Sequence, residues 1–381
     1  MTVWIVNPFD NLPLEGFRPQ RYWMMSQAFT AAGHSVVYFT ADFNHGTKRK
    51  REWRRKKGEW IIESVRLVMI PVREYRKNVC VQRILSHRDF AKGFVLAAMS
   101  EMAKPDVVIA STPPLGSAAA ALRIARRIKA KFILDVQDAW PETFGRLLPR
   151  PLKGLGALIF APMYLTARRL YRSADVVTGV SERYREISGR SDFRLFRLGI
   201  FSSVSDAPYG DSGQLVYLGN LGDGYDLETV IEAVSRERRL TLDIAGKGPK
   251  EESLKSLVSR LGLNDRVKFH GYLDEKQVKS LLSKCGAGIV PMRDDSWVGI
   301  PNKVYDYLAA GLPVLTSLTG ECGDLIRKHS CGAIYENGSV QSFLETWKRL
   351  VAGRVALPQE LAAENIYRDY VSAIMKAKVK K

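Results

Sequence analysis

The chain has 381 residues, of which 46% are hydrophobic and 10% aromatic, so its composition is that of a globular protein and excludes a disordered one. This length exceeds a usual single hydrophobic core and therefore predicts two domains. The four cysteines are scattered without a C-x-x-C pair, which indicates reduced thiols rather than a disulfide framework or a zinc site.

The net charge of +18 is concentrated in one half of the chain. Residues 1–199 carry 34 Lys and Arg against 17 Asp and Glu, whereas residues 200–381 carry 24 against 23. We therefore expect the N-terminal half to face an anionic partner. No apolar run reaches the roughly 18 residues of a membrane span, and no signal peptide precedes the strand predicted at Val3–Val6, so we expect a cytosolic protein.

The first half begins with a strand, a loop at Asn7–Gly16, a helix at Arg18–Ala32 and a strand at His34–Thr40. The segment Lys48–Lys57 then holds eight basic residues in ten, with Trp53 in the middle. It is interpreted as a nucleic-acid arm, an anionic-membrane contact or a solvated loop. The tryptophan favours an interface, because an indole is stable at the depth of lipid headgroups.

Further along, strands alternate with helices. Strands at Pro105–Ala110 and Lys131–Val136 flank an alanine-rich helix at Leu115–Lys129. In parallel sheets ligands bind at the carboxyl ends of strands, so Asp138 and Glu142, just after the second strand, are where chemistry is expected. The alternative is that Asp138 only caps the following turn.

The segment Arg150–Arg172 contains 14 uncharged residues, Gly154–Ala167, bracketed by basic side chains. It is too short to span a bilayer but apolar enough to lie in the membrane surface, with the cations directed outward. A core helix is the alternative. The agreement with Lys48–Lys57 and with the charge distribution favours the membrane surface.

Small, turn-forming residues at 199–213 predict a linker, after which a second α/β domain begins. Its first strand, Gln214–Leu218, runs into a glycine-rich turn containing Gly219 and Gly222, where backbone can approach a phosphate. The spacing is not G-x-G-x-x-G, which disfavours NAD. A later strand, Leu240–Ala245, ends at Lys247 between two glycines, where a lysine can reach phosphate oxygens.

The segment from Val298 to Val314 predicts a loop, a helix and a strand. The helix start at Gly299 and Asn302 offers backbone N–H groups and a partial positive charge to a diphosphate, and Lys303 adds a full charge. Asp306, one turn further, can bond the hydroxyls of a ribose. This is a nucleotide-binding geometry, with an ordinary amphipathic helix as the alternative.

The string Pro301-Asn-Lys-Val-Tyr-Asp-Tyr-Leu-Ala-Ala-Gly-Leu-Pro-Val314 resembles the nucleotide-sugar motif of retaining glycosyltransferases of family 4. This form of the motif is similar to that of the N-acetyl-fucosamine transferase type of O-antigen and capsule assembly. The string Leu134–Glu142 also resembles family 4. The resemblance implies an α/β GT-B fold with two Rossmann-like domains facing across a central cleft, at residues 1–199 and 200–357. A C-terminal helix at about 358–381 would cross back to the first domain.

The resemblance also implies roles for residues. A loop containing Gly16, Arg18 and Arg21 would lie over donor and acceptor, unless these residues form an exposed basic helix end. Tyr272 would line the base pocket. Three cations would assist departure of the donor diphosphate without an essential metal or cofactor: Lys247, Arg293 and Lys303. Asp138 would face the acceptor.

Two departures from the family pattern bear on the donor. The family's first motif glutamate would stand at position 298, where this chain has valine, so the identity of the sugar is left open. The turn at Gly219–Leu227 lacks the family's Arg and Lys, and we expect Lys247 and Lys303 to replace them.

Three functions are compatible with these features of the sequence. The first is transfer from a nucleotide-sugar, a UDP-sugar, to a polyprenyl-diphosphate-linked saccharide by a peripheral enzyme on the inner face of the plasma membrane. The second is a nucleotide-sugar epimerase of the same fold, which would not need the basic half. The third is a nucleic-acid-binding protein, which only Lys48–Lys57 supports. We predict the first function, glycosyl transfer, and we expect no nucleic-acid partner.

Overall fold

The computed structural model describes residues 1–15, 20–51, 60–148, 155–200, 211–293, 299–350 and 353–378. The chain divides into two compact units, one made of Met1–Arg197 with Glu364–Lys381 and the other of Leu198–Ala363. Each unit contains a mainly parallel sheet flanked by helices, which confirms the predicted α/β class with two Rossmann-like sheets.

The first unit is built on a sheet of eight of the described strands, in the order β10-β9-β8-β7-β1-β2-β6-β5. All neighbours are parallel except β5, which pairs antiparallel to β6, and a separate short hairpin pairs β3 with β4. The strands are β1 Thr2–Val6, β2 Ser35–Ala41, β3 Phe43–Asn44, β4 Arg49–Lys50, β5 Trp60–Ile62, β6 Val65–Ile70, β7 Val107–Thr112, β8 Lys131–Val136, β9 Val176–Gly179 and β10 Arg194–Leu195.

Six helices of this unit precede the linker in the described chain. They are α1 Arg21–Ala31, α2 Val81–Ser100, α3 Leu115–Arg127, α4 Gly156–Ile159, α5 Ala161–Ser173 and α6 Arg183–Ser188. Helix α2 lies close to β6 because Gly93 has no side chain to collide with Ile70. The alanine face of α3 packs against the buried strands β7 and β8.

The second unit is built on a parallel sheet of six described strands, in the order β13-β12-β11-β14-β15-β16. The strands are β11 Asp211–Leu218, β12 Thr241–Ala245, β13 Val267–Gly271, β14 Cys285–Val290, β15 Val314–Thr316 and β16 Gly332–Ile334. Its described helices are α7 Leu227–Arg236, α8 Glu251–Arg260, α9 Glu275–Leu282, α10 Asn302–Ala309, α11 Gly320–His329 and α12 Val340–Arg349.

The C-terminal helix α13, Ala363–Lys376, packs on the first unit, as the resemblance implies. Lys131 donates from Nζ to the carbonyl oxygen of Ile374 at 2.9 Å, and the ring of Tyr370 meets those of Phe29 and Phe196 edge to face. These contacts satisfy carbonyl groups in the last turns of the helix and bury its apolar face.

Candidate active site

The turns that follow β11 and β12 are rich in glycine and lie side by side at the carboxyl edge of the second sheet. The Gly219 amide donates to Ala245 O at 2.9 Å, and the Leu221 amide donates to Lys247 O at 3.1 Å. Gly219 and Gly246 have φ angles of +133° and +149°, which favour glycine, and a Cβ on Gly246 would overlap the carbonyl oxygen of Gly219. The edge therefore consists of bare backbone that a ligand can approach closely.

Helix α10 is fixed to this edge by Tyr307. The Tyr307 hydroxyl accepts from the Leu218 amide at 2.9 Å and donates to Ile289 O at 3.3 Å, so it ties α10 to the ends of β11 and β14. The ring lies directly over Gly288, where a Cβ would collide with it. The N-terminal turn of α10 therefore has a defined position beside the glycine turn.

Lys303 projects from that first turn into an aromatic cage. The residue is 6% exposed, and its Nζ lies 3.9 Å from the ring centroid of Tyr217 and 3.8 Å from that of Tyr225. It has no hydrogen-bond partner among the described residues. Burial lowers the pKa of Lys303 well below its usual value, and Asp306 opposes that shift. An amine buried without a hydrogen-bonded anion is costly in the free protein, which favours an anionic ligand here.

A Cβ built on Gly219 would lie 3.2 Å from Lys303 Nζ, so the amine sits at the glycine turn itself. The turn is held from its far side by the segment after β14. Arg293 donates from Nε to Asp223 O at 2.9 Å and from its amide to Gly224 O at 3.1 Å. The structure thus brings Gly219, Gly222, Arg293 and Lys303 to one edge.

The remaining predicted residues of the second unit surround this edge. Lys247 is exposed, and its side chain passes Gly271. Tyr272 is 67% exposed, directly after β13. Gly299 and Asn302 precede and begin α10, with Asn302 exposed. Asp306, one turn into the helix, is partly buried.

In the first unit, Asp138 is exposed in the turn after β8. Its carboxylate accepts a hydrogen bond from the Ala139 amide at 2.9 Å, so it does stabilise its own turn. Partial removal from water raises the pKa of Asp138, while hydrogen bonds from Ala139 and Trp140 and the charge of Arg83 oppose that shift. Gly16 and Arg18 lie outside the described residues.

The prediction that Arg21 faces donor and acceptor is wrong. Arg21 is 2% exposed and forms a bidentate ion pair with the buried Asp135, with both N–O distances 2.9 Å. The same carboxylate accepts from Tyr22 at 2.7 Å and Thr178 at 2.5 Å. Burial acts to raise its pKa, but the charge and hydrogen bonds of Arg21, together with those two hydroxyls, hold the pKa of Asp135 below the usual value. Arg21 also donates to Phe196 O at 2.7 Å, so it joins α1, β8 and the end of β10.

The basic segment is also only partly available to a membrane. Among its described residues, Lys50 pairs with Asp42 at 2.7 Å, and Arg51 is 3% exposed and pairs with Glu15 at 2.9 Å. These two cations stabilise the first unit instead of facing a ligand. Trp53 and the remainder of the segment through Lys57 lie outside the described residues.

The structure reveals site residues that the sequence analysis missed. Tyr217 and Tyr225 flank the glycine turn, but a tyrosine in an apolar strand or before a helix is indistinguishable from a core residue. In the first unit, His45, Tyr75, Arg83 and His87 come together from three separate segments. The one signal in the sequence for this grouping is that His45 and Tyr75 follow predicted strands, whose carboxyl ends lie at the same edge of a parallel sheet.

Among the described residues, no group of three or more His, Cys, Asp or Glu side chains could hold a metal ion. The helices in the described part of the chain include none long and apolar enough to cross a membrane.

Comparison with known proteins agrees with the α/β fold of the two units. Residues 19–195 match the glycosyl transferase 4-like domain, and residues 203–368 match the glycosyl transferases group 1 family. The lipopolysaccharide core biosynthesis glycosyltransferase LpsE of Rhizobium meliloti is 23% identical over 241 residues, or 60% of this chain and 68% of its own. The putative colanic acid biosynthesis glycosyltransferase WcaL of Escherichia coli is 22% identical over 303 residues, covering 74% and 71%.

Solved structures are similar over the whole chain. The HepE protein of Anabaena, in complex with UDP and glucose, has a TM-score of 0.62 at 12% identity and covers 99% of this chain and 95% of its own. At that identity the likeness shows the fold alone. Since the two matches follow one another and together leave only residues 1–18, 196–202 and 369–381 uncovered, the chain is a glycosyltransferase of GT-B fold, with a glycosyl transferase 4-like domain followed by a group 1 domain.

Proposed function

We propose that the protein is a retaining glycosyltransferase that moves a sugar from a UDP-sugar to a lipid-linked saccharide during synthesis of a bacterial surface polysaccharide. The observation that carries the proposal is the buried Lys303 amine, which has no hydrogen-bond partner among the described residues and lies at a glycine turn. The lipopolysaccharide and colanic acid enzymes named above support the pathway class, and the UDP complex of HepE supports the nucleotide. The comparisons favour this function over an epimerase or a nucleic-acid-binding protein.

In this proposal the donor diphosphate lies between the glycine turn and the start of α10. Lys303 and the exposed Lys247 and Arg293 would balance the charge that develops as the UDP group departs. Asp306 would accept from the ribose hydroxyls, and Tyr272 would contact the base. Backbone at Gly219, Gly222, Gly299 and Asn302 would complete the cradle, and no metal is required.

The acceptor hydroxyl would attack the face of the sugar from which UDP leaves, which gives retention. Asp138 would orient that hydroxyl, and the raised pKa of its carboxyl fits a group that accepts a hydrogen bond or a proton from it. Because the acceptor itself is the nucleophile, no pair of enzyme carboxylates is needed.

We further propose that the first unit rests on the inner face of the plasma membrane. Helices α4 and α5 expose Leu158, Ile159 and Leu165 at 73%, 46% and 69%, next to the exposed Arg168 and Arg172. The other side of α5 buries Ala167, Leu170 and Tyr171, so the same segment also contributes to the core. Exposed leucines beside arginines match the interface of an anionic bilayer.

The transfer proposal is tested by incubating the protein with nucleotide-sugars and a lipid extract containing polyprenyl-diphosphate saccharides, measuring nucleotide release and the anomeric configuration of the product. Release from UDP-sugars that requires the lipid extract, with a retained anomer, is expected. Interconversion of the UDP-sugar without acceptor would instead identify an epimerase. Release from none of the nucleotide-sugars would refute the proposal.

The membrane proposal is tested by flotation with anionic and uncharged vesicles. The wild type is expected to float with anionic vesicles and to be released by salt, whereas a Leu158→Glu and Leu165→Glu double variant should remain at the bottom. Met102→Glu is the control, because Met102 is 91% exposed outside this patch. Equal flotation of the double variant and the control would exclude the α4–α5 patch.

A further inference from the structure

A second group of cations lies in the first unit, at the carboxyl edge of its sheet. The segments that follow the parallel neighbours β1, β2 and β6 bring Phe9, His45 and Tyr75 together, and the first turns of α2 add Arg83 and His87. The ring of Phe9 lies 5.1 Å from that of His45 and 5.4 Å from that of His87. We call the group of His45, Lys48, Tyr75, Asn78, Arg83 and His87 the Lys48–Arg83 cluster.

The two cations of the cluster share a neutral partner. Lys48 Nζ donates to Asn78 Oδ1 at 2.7 Å and to His45 O at 2.6 Å, and Arg83 Nη1 donates to Asn78 O at 2.8 Å. The Arg83 guanidinium also lies 5.8 Å from the ring centroid of Phe9 and 5.5 Å from that of Trp140. Within the described residues neither cation forms a salt bridge with a carboxylate, and Arg83 Nε is buried without a hydrogen-bond partner.

The groups that hydrogen-bond to these cations are uncharged, while the charge of Arg83 also acts on the carboxylate of Asp138. Tyr75 and Lys48 both hydrogen-bond to Nδ1 of His45, and because the ammonium can only donate, Nδ1 accepts and the neutral ring carries its proton on Nε2. Burial, with the charges of Lys48 and Arg83, lowers the pKa of His45 to about 3, and burial with Arg83 does the same for His87. Burial and Arg83 also lower the pKa of Lys48 to about 8. The site has an excess of positive charge.

Ring contacts extend from the cluster toward the exposed apolar helices. His87 lies 5.9 Å from Trp140, Trp140 lies 4.6 Å from Phe144, and Phe144 lies 5.4 Å from Phe160, at the start of α5. A molecule that occupied this line would present an anion to the cluster and a hydrophobic chain to the leucines of α4 and α5. Asp138 lies in the same turn as Trp140.

We infer that the Lys48–Arg83 cluster binds the diphosphate of the lipid-linked acceptor, with the isoprenoid chain following Trp140, Phe144 and Phe160 toward the membrane. This inference rests on the proposed function and names the part of the acceptor that the first unit recognises. Arginine and lysine together supply the donors that a diphosphate needs.

The inference is tested by titrating farnesyl diphosphate, farnesol, inorganic pyrophosphate and UDP into the full-length protein in a calorimeter. Farnesyl diphosphate is expected to bind the wild type more tightly than either farnesol or pyrophosphate. Arg83→Gln and Lys48→Gln should each weaken farnesyl diphosphate roughly tenfold to a hundredfold. Arg83→Lys, which keeps the charge, should restore most of the affinity lost in Arg83→Gln, and unchanged UDP binding shows that each variant folds.

Arg88→Gln is the matched control, because Arg88 is exposed on the same helix and the charge change is identical. It should leave farnesyl diphosphate binding unchanged, and UDP binding should be equal in all variants. If Arg83→Gln weakened UDP but not farnesyl diphosphate, the cluster would serve the donor and the inference would be wrong. Farnesyl diphosphate bound equally by wild type and Arg83→Gln would also overturn it. Because this assay measures binding directly, a failure of sugar transfer would remove the proposed function without changing these results.

Discussion

Replacing Lys303 with methionine should make the free protein more stable and its nucleotide binding weaker. Methionine keeps the apolar stem but removes an amine that is 6% exposed and has no hydrogen-bond partner among the described residues. At pH 7 the cost of burying that amine is at most the cost of deprotonating a lysine with the ordinary pKa of 10.5, which is about 5 kcal/mol. The lost attraction to two tyrosine rings, about 1–2 kcal/mol each, opposes this gain.

We therefore expect Lys303→Met to raise the free energy of unfolding by about 1–3 kcal/mol at pH 7, measured by urea denaturation. The affinity for UDP, measured by calorimetry, should fall roughly tenfold to a hundredfold, because one charged donor to the diphosphate is lost. Lys276→Met, at an exposed position in the same unit, should change the free energy of unfolding by less than about 0.5 kcal/mol and leave UDP affinity intact.

The pH dependence of the free energy of unfolding independently tests whether the buried Lys303 amine destabilises the free protein. Between the lowered pKa of folded Lys303 and the value of 10.5 in the unfolded chain, the unfolded state holds a proton that the folded state does not. The free energy of unfolding of the wild type should therefore rise with pH relative to Lys303→Met, by up to about 1.4 kcal/mol per pH unit. A variant that is less stable than wild type, has the same pH dependence and binds UDP normally would refute this assignment of the Lys303 environment.

Three further predictions concern the framework around the two candidate sites. Gly246→Ala should abolish folding of the second unit, because the new Cβ would overlap the carbonyl oxygen of Gly219. The control Gly338→Ala has a φ of +74° but nothing within 4 Å of its Cβ, so it should lower the free energy of unfolding by only about 1–2 kcal/mol. Similar thermal unfolding of the two variants would contradict the described turn. Asp135→Ala should lower the free energy of unfolding of the first unit by about 3–5 kcal/mol, measured in urea, because Arg21 is left buried without its anion. A decrease of less than about 1 kcal/mol would argue against the buried pair. As pH falls from about 6.5 to about 3, the unfolded state takes up a proton at His87 that the folded state does not, so the wild type should lose stability faster than His87→Phe. Equal stability of the two proteins across this pH range, relative to neutral pH, would show that folding does not lower the pKa of His87.

The buried pair of Arg21 and Asp135 shows how a charged residue can mislead when only the sequence is read. An arginine at the start of a helix after a loop has the appearance of a ligand-binding residue. Its actual position is set by Asp135, which lies 114 residues away in an otherwise apolar strand. Three other donors satisfy the same carboxylate, from Tyr22, Thr178 and Gln137, so the pair is part of the core and has no capacity left for a substrate.

The sequence by itself determined the fold class, the alternation of strands and helices, and the segments that lie at the carboxyl ends of strands. These properties follow from local periodicity and from the turn preferences of glycine and proline, which act over a few residues. The motif around Lys303 was recognised for the same reason, because its helix start, its lysine and its closing glycine are contiguous. The pattern of apolar residues did not predict every element: the short hairpin β3–β4 and the edge strand β5 were seen only in the structure.

Only the tertiary structure decided which side chains meet. Tyr217 and Tyr225 enclose Lys303 because β11, its following turn and α10 converge, and Arg83 approaches Lys48 because α2 begins beside the ends of β2 and β6. It also decided which cations remain available: Arg21, Lys50 and Arg51 are paired internally, whereas Lys303 in one unit and Lys48 and Arg83 in the other form no salt bridge among the described residues. The physical reason is that burial and pairing depend on neighbours distant in the chain, and these set both the cost of a charge and its capacity to bind a ligand.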